Sequence, residues 1–191
     1  MTATWARPML RWFLLGATYL LAGLAPTVSA ADAPVLLETQ VKAAYLTKFA
    51  SYAEWPPSRF ANASSPLVIG VLGDDPLAVE VAAQSRGQAV KGRRIEVRRL
   101  GPDDSLESAH VLFVGAGIEA DALDALFARL RGRPVLTVAD TRAAQQRGCM
   151  ITFVARNERL RFDVALAPAN DSDIRLSALL LTAANRVVRS P

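Results

Sequence analysis

Leu67-Val68-Ile69-Gly70-Val71-Leu72 is an unbroken apolar run held between Pro66 and Gly73-Asp74-Asp75-Pro76. Six residues are too few for an independent helix and suit a strand. A strand with no polar alternation is buried on both faces, so its sheet must be covered on two sides. The turn behind it also supplies a helix start. Asp75 is the expected cap, Pro76 takes the first helical position, and the helix runs through Val79 and Val81 to about Ser85.

Downstream the same grammar repeats. Gly87 and Gly92 flank a turn, Arg94 to Leu100 alternates charged and apolar residues like a half-exposed strand, and Val111 to Gly115 is a second buried strand. Ile118 to Leu130 predicts a helix with Leu123, Leu126, Phe127 and Leu130 on one face, followed by a strand over Pro134 to Val138. A short helix over Thr141 to Gln146, with Asp140 as its cap, is stopped by Gly148. Cys149 to Val154 and Leu160 to Leu166, joined at Asn157-Glu158, form an expected antiparallel hairpin. Asp171, Ser172 or Asp173 then caps a last helix whose residues Ile174, Ala178, Leu181 and Val188 share a face.

Upstream, Val41, Ala44, Tyr45, Phe49, Tyr52 and Trp55 recur at helical spacing between Leu36 and Trp55, and Pro56-Pro57 ends that helix. The expectation is α/β: a single domain with a mostly parallel central sheet of about six strands, helices on both faces and an antiparallel C-terminal hairpin.

Arg7 and Arg11 precede the apolar run Trp12 to Leu24, which is too short to span a bilayer and is followed by Pro26 and the small residues of Val28-Ser29-Ala30. Residues 1–30 therefore read as a cleavable signal peptide, leaving 31–191 as the exported domain with no membrane insertion after cleavage. Cleavage removes two of the 22 basic residues and none of the 18 acidic ones, so net charge falls from +4 to +2. No clustered basic helix or motif for nucleic acid is present. Arg93, Arg94, Arg98 and Arg99 alternate with apolar residues as a solvated strand face does.

The chemical inventory is thin. Cys149 is the only cysteine, so no disulfide forms within the chain; the thiol is either an inert core residue or a bridge between two chains, which would make a homodimer. One His and one Cys cannot build a zinc site, and His110, directly before a buried strand, lacks a serine elbow to serve. Asp74-Asp75 and Asp103-Asp104 sit at turns where aspartate bonds its own backbone. Gly73, Asp74, Gly115 and Gly117 follow strands and precede helices, the place where a doubly wound sheet receives small anions, but they complete no dinucleotide or Walker pattern. The expectation is no catalytic residue, no metal and no cofactor.

Val41-Lys42-Ala43-Ala44-Tyr45-Leu46 and Phe49-Ala50-Ser51-Tyr52-Ala53-Glu54-Trp55-Pro56 resemble the N-terminal signature of the YfiR-like family. Val71-Leu72-Gly73-Asp74-Asp75-Pro76, His110 to Gly115, and Gly148 to Val154 leading into Leu160-Arg161-Phe162-Asp163-Val164 agree in order with that family. The resemblance implies a non-enzymatic periplasmic regulator. Such a protein binds the sensory part of an inner-membrane signalling protein, a diguanylate cyclase or a sensor kinase, and a repressed cyclase means lower cyclic di-GMP and less biofilm. A small-ligand sensor coupled to a membrane kinase or transporter is the alternative.

Known members of the family carry disulfides. In the alignment with them, Gly70 and Ala109 occupy one cysteine pair, and Arg156 stands where a partner of Cys149 would be. The expected partner contact is the loop into the last helix, Pro168, Asn170, Asp171 and Ile174, with Ile174 either an exposed anchor or turned inward behind a plain helix cap.

Overall fold

The computed structural model describes residues 32–101, 103–106, 108–157 and 159–189. The expected cleavage after Ala30 and Glu158 of the expected turn lie outside them. α1 (Asp32–Tyr52) leads through β1 (Ala53–Glu54) to β2 (Leu67–Leu72) and α2 (Asp75–Gln84). β3 (Ala89–Val90), β4 (Arg93–Leu100), β5 (Val111–Val114), α3 (Ala120–Leu130), β6 (Leu136–Ala139), α4 (Arg142–Gln146) and β7 (Ile151–Arg156) follow. β8 (Arg159–Ala165), α5 (Leu166–Asp171), β9 (Arg175–Leu176), α6 (Ala178–Ala183) and β10 (Arg186–Val188) complete the described elements.

β2 is buried at all six positions, as its apolar run requires. It lies between β4 and β5, parallel to both, and β6 and β7 extend the parallel set. Taken in chain order these five strands stand 2-1-3-4-5, a common doubly wound arrangement. β8 is antiparallel to β7, so the expected hairpin is present, and it pairs Arg156 with Arg159.

Helices cover both faces. α1 and α2 bury Leu46, Phe49, Leu77 and Val81 against Ile69, Val71, Phe113 and Phe153 on one face. α3 and α4 bury Leu123, Leu126 and Ala144 against Leu112, Val114 and Ala139 on the other.

The sheet has eight strands in the order β10-β8-β7-β6-β5-β2-β4-β3, not the expected six or so. One addition is β3, folded back on β4 through Lys91 and Gly92, both with positive φ. The other replaces the expected last helix. The chain from Ile174 to Val188 is divided among β9, α6 and β10. Asp173 at φ 54 turns it, Ser177 caps α6 by accepting from the Leu180 N–H, and Val187 and Val188, poor helix formers, run as an edge strand parallel to β8.

Three boundaries move for local reasons. α1 ends at Tyr52 because Ala53 and Glu54 pair with Leu176 and Arg175. Asp74, one residue before the expected cap, accepts from the Leu77 N–H at 3.0 Å and caps α2. Thr141 rather than Asp140 caps α4, accepting from the Ala144 N–H at 3.2 Å. Asp140 is engaged elsewhere, by Lys42.

Candidate functional site: the carboxyl edge of the sheet

Because the chain winds from β2 to β4 on one side and later to β5 on the other, the loops after β2 and β5 flank the point where ligands of such sheets bind. The structure brings Gly73 and Gly115 together there. A Cβ on Gly115 would lie 2.6 Å from the Gly73 carbonyl oxygen, and the Gly115 N–H donates to Leu72 O at 2.8 Å. Ile118 fills the remaining space, its Cδ1 standing 2.9 Å from a Cβ built on Gly73. Gly117 lies farther out, its Cβ position 4.0 Å from the same Gly73 oxygen. These loops meet as the sequence pattern suggests, but their backbone packs on itself, and Asp74 is occupied as a cap.

The expected partner loop is in large part a helix. Pro168, Asn170 and Asp171 belong to α5, with Asn170 and Asp171 exposed. Ile174 is 1% exposed and belongs to the core. Its N–H donates to Ala169 O at 3.0 Å after the turn at Asp173, which swings the side chain inward. Ile174 is thus the inward-turned residue of the two expected arrangements and no exposed anchor.

What sequence reasoning missed lies beside the β7–β8 hairpin. A cavity of about 790 Å³ opens between the N-terminal half of α1 and that hairpin, lined by Val41, Tyr45, Phe153 and Leu160 with Arg159 and Arg161. Lys42, on the polar side of the helical pattern, is buried beside it. Its ammonium lies 2.7 Å from Asp140 and 2.8 Å from Glu38. Burial opposes that charge, but the bonds to the two carboxylates outweigh it and raise the lysine pKa above its ordinary value. No local signal in the sequence pairs Lys42 with a carboxylate 98 positions away.

Neither reactive side chain is set up for chemistry. His110 Nδ1 accepts from the Val68 N–H at 3.1 Å, its ring stacks on Phe60 at 4.4 Å, and its buried Nε2 has no partner among the described residues. Burial, reinforced by Arg59, lowers its pKa to about 4, so the ring is neutral. Cys149 is 1% exposed and lies 3.2 Å from Ile151 O. Burial pushes its thiol up to about 12, far from the thiolate that a nucleophile or an exchanging disulfide needs. Arg156 is at the far end of β7, roughly 20 Å away at the rise of an extended chain, so a cysteine there could not bridge to Cys149 in this fold.

Among the described residues, no helix is long and apolar enough to cross a membrane, and no three His, Cys, Asp or Glu side chains converge to hold a metal. No curated protein matches the chain. The model of the YfiR/HmsC-like family matches residues 39–185. That span runs from within α1 through the whole parallel sheet and its hairpin to the residue before β10, and the chain belongs to the YfiR/HmsC-like family.

Proposed function

We propose that this protein is a non-enzymatic periplasmic regulator, exported by a signal peptide over residues 1–30. In this reading it binds the periplasmic sensory part of an inner-membrane diguanylate cyclase and represses it, lowering cyclic di-GMP. The observation that carries this is the family match over residues 39–185. The neutral His110 and protonated Cys149 agree with a domain that works by contact. An inhibitor of this kind acts by binding the inactive state of its partner more tightly than the active one. The contact includes the exposed residues Asn170 and Asp171 of α5 beside Pro168, with Ile174 holding that helix from inside.

A small-ligand sensor coupled to a membrane kinase or transporter is the second reading. The cavity of about 790 Å³ favours it, because apolar walls with a few convergent charges suit a small ligand.

The deciding experiment is a crosslinking pull-down from envelope fractions, paired with cyclic di-GMP measurement in a strain lacking the protein. Recovery of a membrane cyclase together with raised cyclic di-GMP supports the regulator. Recovery of no membrane protein and unchanged cyclic di-GMP refute it.

A further inference from the structure

The second face of the sheet, covered by α3 and α4 over β2, β5 and β6, carries arginines over β7 and β8. Alternation along the hairpin turns Phe153, Leu160 and Phe162 to the core and starts Arg156, Arg159 and Arg161 from the opposite side, with Arg159 and Arg161 at the sheet end where they also border the cavity beside α1. All three arginines are exposed. Arg156 lines a cleft of about 320 Å³ with Arg142, at the start of α4, and Arg186 of β10, opposite Asp163, and it lines a neighbouring cleft of about 570 Å³ with Arg159, Arg161 and Asn185.

One described carboxylate answers these five guanidinium groups. Asp163, 3% exposed, accepts from Arg186 at 2.9 Å and from Asn185 at 2.6 Å, which satisfies both its oxygens. Among the described residues no ion pair reaches Arg142, Arg156, Arg159 or Arg161. Arg156 and Arg159 moreover stand directly opposite each other in the ladder, where like charges weaken strand pairing. Among the described residues no counter-charge meets that repulsion, and an anionic partner would relieve it.

We propose that this arginine face docks an acidic segment of a protein partner. The inference rests on the regulator reading above and specifies the chemistry of the partner. Guanidinium groups engage carboxylates in two-pronged pairs. Their spacing, about 5 Å across the ladder and about 7 Å along β8, matches carboxylates on successive turns of a helix or alternate positions of a strand. The face is also concave: α4 forms a wall beside the strands, and buried Thr152 and Asp163 lie in the floor of the cleft. A projecting peptide segment reaches such a floor, whereas a planar layer of lipid headgroups touches only the outer guanidinium groups.

The test uses the protein purified from the cell envelope. Its probes are a fluorescein-labelled peptide alternating glutamate with valine, the same peptide with lysine for glutamate, and phosphatidylglycerol vesicles. The expected result is binding of the glutamate peptide alone, weakened by salt and reduced about tenfold or more in Arg156→Gln/Arg159→Gln/Arg161→Gln. The triple variant should melt no lower than the parent, since it removes a repulsion; should it fail to fold, Arg159→Gln alone serves. Equal binding by the variant, no peptide binding, or preference for the vesicles would overturn the proposal.

Envelope pull-downs separate this inference from the function it rests on. If parent and variant recover the same membrane protein equally, the arginine face is the wrong surface and the regulator stands. If the parent recovers none while peptide binding depends on the arginines, the surface stands and the regulator falls.

Discussion

A Cβ placed on Gly70 stands 3.5 Å from the Cβ of Ala109, a separation at which cysteine pairs are bridged. The two positions aligned with a disulfide in relatives are therefore true neighbours in this chain, which fills the space with the Leu100 side chain, its Cδ1 2.5 Å from that Cβ position. Gly70→Cys/Ala109→Cys with Leu100→Ala should form the bridge under oxidising conditions. The gain over its own reduced form is up to about 4 kcal/mol, less any strain. Mass spectrometry and urea denaturation with and without reductant check it; free thiols in the folded oxidised sample would refute the pairing.

Asp74 and Asp75 separate a cap from a ligand. Asp74→Ala removes the acceptor of the Leu77 N–H and should cost about 1 kcal/mol in urea denaturation. Asp75→Ala should change little, because that carboxylate is 76% exposed and 3.9 Å from an exposed Arg99. Equal losses would contradict the assignment of the cap.

His110 makes stability depend on pH in a stated window. Its folded pKa, about 4, lies below the unfolded value of 6.5, so the unfolded chain gains the proton first as pH falls. The stabilisation is complete above pH 6.5 and is lost between 6.5 and about 4, by at most about 3 kcal/mol. His110→Asn keeps an acceptor for the Val68 N–H and removes the titration. Its stability between those pH values should be flatter than that of the parent, and an unchanged slope would assign the effect to other groups.

Lys42 and Asp140 form a pair whose partners depend on each other. Lys42→Met leaves Asp140, already with one buried oxygen unpartnered, without its cation, and should cost about 3 kcal/mol. Adding Asp140→Asn should return part of that loss. A double variant less stable than Lys42→Met would show that the carboxylate is held by something else.

The parallel sheet was legible because its signals are local. Apolar runs at Leu67–Leu72 and Val111–Val114 have no solvated face to offer, and the glycines and prolines beside them mark the turns. The last segment was misread for the opposite reason. Ile174, Ala178, Leu181 and Val188 share helical spacing, but Asp163 draws Asn185 and Arg186 to the sheet edge, and no periodicity encodes that distant pull. Lys42 was hidden in the same way, since a lysine in an amphipathic helix carries no mark of the carboxylate that buries it. The arginine face was legible in part: Leu160, Phe162 and Val164 alternate with Arg161, Asp163 and Ala165 in the sequence, while the clefts that gather Arg161 with Arg156, Arg159, Arg142 and Arg186 exist only in three dimensions.

The bonds from Asn185 and Arg186 to Asp163 tie β10 to β8. A chain broken off before Asn185 keeps β2, β4, β5, β6 and β7, yet it buries Asp163 without these two partners and exposes the outer edge of β8. Its fold then opens more often, and proteases sample opened states. Two side chains on one carboxylate thus act as a latch that sets how often this edge of the sheet comes apart.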